Sequence, residues 1–278
     1  LSDISNQVST GRKINKPSDD PVGITYALRY RAELASNEQY KSNADSAVSW
    51  LDYTDSTMQQ STSLMTRLKE LTVQASSSTL PQSGLDAIRM EVEQLKDQMG
   101  AIGNSQLRGK YIFNGQNYDK IPYELSGTVT SFSQIDTDDG AVKYSVDDSG
   151  DYQINTTGNN FFGASTDNDN VFKVMDDLVL ALNTANYSNI SAQLPKIESR
   201  TTKMLSCLSE VGARTNRIEL VQSRLNDMNL NLTTLQAKTE DADVAELMIK
   251  STTAQSVYEA ALKSSAQIMQ PTLMDFMR

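Results

Sequence analysis

The sequence predicts a mainly α protein with one small β-rich insertion: an elongated antiparallel helical bundle or coiled-coil rod whose amino- and carboxyl-terminal segments pair. Three observations carry this expectation. Apolar stripes at helical spacing fill the first and last thirds of the chain. Between them lies a stretch of short β-type runs separated by Gly, Asp and Ser clusters. The 278 residues are 38% apolar and 6% aromatic, thin for one compact globe but enough for helices that each need only a stripe.

Leu1, Ile4 and Val8 stand three and four apart, the close of an amphipathic helix that begins before Leu1. Gly11 and the basic pair Arg12-Lys13 stop it. Asn15-Lys16-Pro17-Ser18-Asp19-Asp20-Pro21 reads as an extended linker, with Asp20 as N-cap and Pro21 as the first helical residue. Segment 1–20 is therefore a terminal helix and its linker. From Pro21 to about Ser76 runs one helix. Ala44, Leu51, Met58 and Met65 recur every seven residues, joined by Val48, Leu68, Leu71 and Ala75. Unbroken, it would reach about 80 Å at about 1.5 Å per residue. After a break at Thr79-Leu80-Pro81-Gln82, Ser83-Gly84-Leu85-Asp86 has capping-box spacing. Leu85, Ile88, Val92, Leu95, Met99 and Ile102 then form a clean seam. The short connection folds this helix back antiparallel on the first, and 21–110 makes one half of the rod.

The pattern changes after Arg108. Tyr111-Ile112-Phe113 before Asn114-Gly115 reads as a strand entering a tight turn, and further strands are expected at Thr128–Phe132, Ala141–Val146 and Tyr152–Thr156. Segment 111–170 is the β-rich outer insertion, small enough to be replaced by a short turn if its ends meet. Helical spacing returns with Val171, Val174, Leu178 and Leu182. With Pro195 in the first turn of a helix, a second long stripe runs through Ile197, Met204, Leu208, Val211, Ile218, Leu225, Leu232 and Leu235 to near Lys238. Segment 171–240 is the other half of the rod. Asp243 and Glu246 then mark a new helix start, and 241–278 carries Val244, Leu247, Ala254, Tyr258, Ala261 and Ile268 on one face. Leu273 and Phe276 follow in an unusually apolar end. First-third helices must pair with last-third helices, so both chain ends lie together away from the insertion.

The chemistry is mostly excluded. There is no His and a single Cys, which removes Ser-His and Cys-His nucleophilic pairs and imidazole metal sites. Cys207 reads as a packed thiol. The net charge is −10, unfavourable for a phosphate backbone, so nucleic acid is not expected as a partner. From Gly115 to Asn170 ten acidic residues face two basic ones, which leaves the flanks close to neutral and able to assemble. Asp136-Thr137-Asp138-Asp139-Gly140 fails calcium-loop spacing. Like Asp147-Asp148 and Asp167-Asn168-Asp169-Asn170, it reads as solvated turn, with no cleft implied for a paired-carboxylate hydrolase. No cofactor, metal or catalytic residue is expected, nor a membrane-spanning run. Trp50, Tyr53 and the methionines read as packing residues. The terminal stripes remain unexplained by a lone chain. Leu1, Ile4, Val8, Val244, Leu247, Ala254, Tyr258, Ala261, Ile268, Leu273 and Phe276 are the expected subunit interface.

Particular strings point to a family. Val8-Ser9-Thr10-Gly11-Arg12-Lys13-Ile14-Asn15 with Pro17-Ser18-Asp19-Asp20-Pro21 resembles the amino-terminal signature of flagellin-like axial proteins of the bacterial flagellum. The prolines, where flagellins usually carry alanines, are similar to its hook–filament junction branch. Gly212-Ala213-Arg214-Thr215-Asn216-Arg217 resembles the family's returning helix, while Arg108–Gly115 and Ile268–Phe276 look like junction-branch segments. The resemblance implies a non-enzymatic structural subunit outside the cell, exported by the flagellar type III apparatus. It implies hook-associated protein 1, flagellin, a ring of its own copies and a cytoplasmic export chaperone as partners. Flagellin itself is the nearest alternative; a hydrolase in the insertion is the alternative of another class.

Overall fold

The computed structural model describes residues 2–269 except Thr79, Gly127, Thr128 and Ser149, with side chains as far as Ala266. Seven helices dominate: α1 (Ser2–Thr10), α2 (Pro21–Ala75), α3 (Gln82–Gly103), α4 (Gly158–Phe162), α5 (Val171–Asn183), α6 (Tyr187–Glu240) and α7 (Val244–Met269). The β structure is two antiparallel ribbons, β1 (Gln106–Leu107) with β2 (Lys110–Tyr111) and β3 (Lys143–Asp147) with β4 (Gly150–Gln153). The chain divides into two units, residues 1–39 with 225–278 and residues 40–224; α2 and α6 contribute to both. The protein is mainly α with a small β-containing insertion, as its periodicity predicts.

In the larger unit the heptad positions do what their spacing requires. Ala44, Leu51, Met58 and Met65 on α2 and Met204, Val211 and Ile218 on α6 are buried, as is every seam residue of α3. α2 and α6 run antiparallel, with Lys69 paired to Glu198 at 2.7 Å. α3 folds back on α2, Arg67 meeting Glu91 at 2.7 Å, and packs against α5, Lys96 meeting Asp176 at 3.0 Å. Leu95 is 8% exposed on that seam, so Leu95→Asp should cost about 3 kcal/mol by burying an unpaired charge. A thermal melt unshifted by this substitution would place the side chain in solvent.

Three helix boundaries and one linker differ from expectation. α3 starts at Gln82 after Pro81, with no side-chain cap; proline at the N-cap sets the turn and the Ser83 box is not used. α6 begins eight residues before Pro195, which lies inside the helix. One missing N–H is tolerated there because the long apolar stripe holds the flanking turns. The 15–21 linker is not extended: Asp19 Oδ2 accepts from the backbone N–H groups of Asn15 and Lys16, at 3.0 and 2.9 Å, folding it into a turn. α6 runs on to Glu240, two residues past Lys238.

The insertion departs furthest. Arg108 and Gly109, with φ of 52° and 77°, make the hairpin turn between β1 and β2, the positive-φ pair that two-residue hairpins need. Ile112 and Phe113 lie beyond this ribbon, buried. Phe132–Gln134 is a short 3-10 turn and residues 129–131 form no strand; Thr128 lies outside the described residues. β3 and β4 fall near two expected strands. Elsewhere side chains replace the ladder: Asn104 brackets Tyr123, accepting from its N–H and donating to its carbonyl, both at 2.8 Å. Asp138 Oδ2 accepts from Gln116 N–H at 2.7 Å. Gly115 is required, since a Cβ would fall 2.3 Å from the Asp138 carbonyl oxygen.

The acidic clusters are fastened rather than solvated. Asp136 accepts from Ser165 N–H and Oγ at 2.6 and 2.7 Å. Asp147, buried, pairs with Arg224 at 2.5 Å. Asp169 is buried against Arg200 of α6, and Asn170 is buried where its Oδ1 accepts from Lys173 N–H to cap α5. The insertion's centre is aromatic. Phe162 lies 5.1 Å from Phe113, 5.6 Å from Tyr123, 4.9 Å from Phe161 and 5.7 Å from Phe172. Gly100 and Gly103 on α3 admit this cluster, because a Cβ at either would lie 2.6 Å from a ring atom of Phe132 or Tyr123.

Candidate subunit interface

The smaller unit is built differently. α2 starts where expected: Asp20 Oδ1 accepts from Val22 and Gly23 N–H at 3.1 and 2.9 Å. α7 starts likewise on Asp243, whose Oδ1 accepts from Ala245 at 2.9 Å and Glu246 at 3.2 Å. α1 ends on Gly11, whose φ of 68° no side-chain-bearing residue adopts cheaply. Asn37 Nδ2 donates to the Leu225 carbonyl at 2.9 Å, fixing α2 beside α6, and α1 packs on α7.

Burial inside this unit is sparse. Among the described residues α1 buries none, and α7 buries only Leu247, at 6% exposure. Yet α7 is apolar around much of its circumference, with Glu246, Lys250, Glu259 and Lys263 its charged residues. Val244, Met248, Ile249, Val257, Tyr258 and Leu262 are all more than half exposed. Among the described residues, thirteen of the twenty large apolar side chains left exposed belong to this smaller unit. A helix that is apolar on several sides is stable in water only when something covers it.

The expected interface residues distribute accordingly. Val8, Val244, Tyr258 and Ala261 are exposed, Ile4 and Ala254 half-buried, and Leu247 is packed inside the unit rather than offered outward. Leu1, Leu273 and Phe276, with the Ile268 side chain, lie outside the described residues. Sequence reasoning missed Met248, Ile249, Val257 and Leu262, which fall off the single stripe. Their signal is the run of apolar residues at adjacent positions such as Leu247-Met248-Ile249 and Val257-Tyr258, not periodicity. It also assigned Leu235 to the packed stripe of α6, where it is 43% exposed. Val22, Tyr26 and Leu28 on α2 add to the same exposed set.

No group of three or more potential metal ligands occurs among the described residues, and no described helix is long and apolar enough to cross a membrane. Cys207 is half-buried, and burial pushes its thiol pKa up, away from reactivity.

Long paired helices with an uncovered apolar terminal unit are the pattern of a structural subunit, one whose exposed stripe needs cover. Residues 1–118 match the bacterial flagellin N-terminal helical region and residues 194–277 the C-terminal helical region. The chain belongs to the flagellin family of bacterial flagellar proteins. It is similar to flagellar hook-associated protein 3 of Escherichia coli, 25% identical over 281 residues, covering 91% of this chain and 87% of that one. It is also similar to flagellin FlaB1 of Treponema pallidum, 23% identical over 262 residues, covering 94% and 86%. The crystal structure of the flagellar junction protein FlgL from Legionella pneumophila superposes with a TM-score of 0.63 at 16% identity, covering 79% of this chain and all of that one.

Proposed function

We propose that this chain is a hook–filament junction subunit, the role of hook-associated protein 3, and that it acts by packing with neighbouring subunits and not by catalysis. The observation that carries the proposal is the uncovered apolar surface of α7 and its neighbours in a chain of this family. Copies of the same chain in a ring, hook-associated protein 1 on the hook side and flagellin on the filament side would cover it. Export through the flagellar apparatus to the cell exterior, with a cytoplasmic chaperone shielding the same surface beforehand, completes the reading. Leu1, Ile4, Val8, Val244, Ala254, Tyr258, Ala261, Ile268, Leu273 and Phe276 remain candidates for the contact. Ile249, Val257 and Leu262 join them, and Leu247 serves it from inside.

The test uses exposed positions so that folding and assembly separate. Ile249→Asp with Leu262→Asp should leave the isolated chain's melting temperature within a few degrees, since surface changes cost about 0.5 kcal/mol or less. Cells carrying the pair should bear bare hooks and shed flagellin into the medium. Normal filaments on these cells would overturn the proposal. Bare hooks without shed flagellin would point instead to a filament subunit.

A further inference from the structure

Glu240, the last residue of α6, is a carboxylate only 1% exposed. A charge so placed must be paired. Arg31 from α2 donates Nε to Oε1 at 2.8 Å and Nη2 to Oε2 at 2.5 Å, and Arg12 brings Nε to 3.5 Å from Oε2. The backbone joins at the same point. Lys13 N–H donates to the Glu240 carbonyl at 2.6 Å, Ala242 N–H donates to the Gly11 carbonyl at 3.1 Å, and Arg12 faces Asp241 in a single antiparallel bridge. Burial alone would raise the Glu240 pKa, but the Arg31 hydrogen bonds and the charges of Arg31 and Arg12 hold it below the usual glutamate range. Thus the segments leading from α1 into α2 and from α6 into α7 cross in one charged knot. Beside it Ile14 packs at 3% exposure next to Gly23 of α2, but the α1/α7 pair itself is held by little apolar burial, since among the described residues α1 buries none and α7 only Leu247.

We propose that the Arg12–Glu240–Arg31 knot is a latch. Closed, it holds the α1/α7 pair at one angle to the α2/α6 pair. Released, it lets the pair pivot on segments 11–20 and 241–243 while the helices themselves stay folded. The two-pronged Arg31 fork supplies the angular definition; a lysine would supply charge without it. The inference concerns motion within one chain and does not depend on the junction role.

Amide hydrogen exchange on the intact chain tests it with two variants, Glu240→Gln and the milder Arg31→Lys. In both, the Lys13 and Ala242 amides should lose protection by about tenfold or more. The Gly158 amide, bonded to the Phe113 carbonyl at 2.8 Å, and mid-helix amides of α2 and α7 should keep theirs. Spin labels at Glu38→Cys and Ser256→Cys, in a Cys207→Ser background, should show one narrow distance in the parent and a loss of that single distance in the variants. Unchanged protection and distance in both variants would overturn the latch. So would loss of protection throughout α7 in both, which would make the knot part of the fold rather than a pivot.

Discussion

Arg200→Met should lower stability by about 3–5 kcal/mol, the cost of removing one partner from a buried charged network. Arg200 is 1% exposed on α6. Its Nη2 reaches Asp167 at 2.9 Å and Asp169 at 2.5 Å, while Nε donates to the Asp169 carbonyl at 2.9 Å. Asp169 also accepts from Ser199 Oγ at 2.7 Å and lies 2.8 Å from Lys203 Nζ. Gly163 makes room, since a Cβ there would sit 2.7 Å from Nη2 of Arg200. Burial would raise the Asp169 pKa, but hydrogen bonds from Lys203 and Ser199 and the charge and hydrogen bond of Arg200 lower it to about 2. The sign follows. An aspartate near 3.9 when unfolded and lower when folded contributes stability that is full above about pH 4 and fades as pH falls toward 2. In Arg200→Met the folded pKa moves back toward the unfolded one, so less stability should be lost across that window. Denaturant titrations from pH 7 to 3 report both effects; a variant as stable as the parent across that range would mean the network contributes nothing net.

Phe162→Ala should be comparably costly, about 3–5 kcal/mol for a buried phenylalanine whose cavity cannot collapse. Its four ring neighbours come from before β3, from α4 and from the start of α5, so no single segment can close the gap. The same geometry bears on excising 114–170. Phe113 and Phe172 flank that segment, and Gly100 and Gly103 on α3 are shaped to its rings. Removing it would uncover the ring-facing surface of α3, so replacing it by a short turn should lower the stability of the helices. Calorimetry on Phe162→Ala decides this. A single transition lowered as a whole means the insertion and helices unfold together, whereas an early minor transition means the insertion melts alone.

The helices were legible because their signal is redundant. Seven-residue recurrence along α2, α3 and α6 repeats often enough that Pro195 or a mistaken cap shifts an end but not the element. Asp20 and Asp243 were legible for another reason: a cap acts within three residues of itself. The insertion offered neither advantage. Its strands are too short to show alternation, and its backbone is satisfied by side chains such as Asn104 and Asp138, of which Asp138 reads in sequence as solvated turn. Asp169 looked like loop charge because its partner, Arg200, lies thirty-one residues away in the sequence. The candidate surface was legible in part. The apolar stripe of the terminal helices announced a need for cover: on it Val8, Val244 and Tyr258 are exposed and Leu247 is packed within the chain, while Met248, Ile249, Val257 and Leu262 are exposed off it.

The brevity of the β ribbons has a consequence for a protein of this kind. Strands of two to five residues offer a neighbour almost no row of free amides and carbonyls to copy. The edge that β3 and β4 do present is broken by a register shift between Ser145 and Asp147 and carries Lys143 and Asp151, features that discourage strand-to-strand templating. Chains crowded side by side could therefore adhere through helices without seeding fibrils through sheets. The surface that invites company and the surface that could misuse it are kept chemically apart.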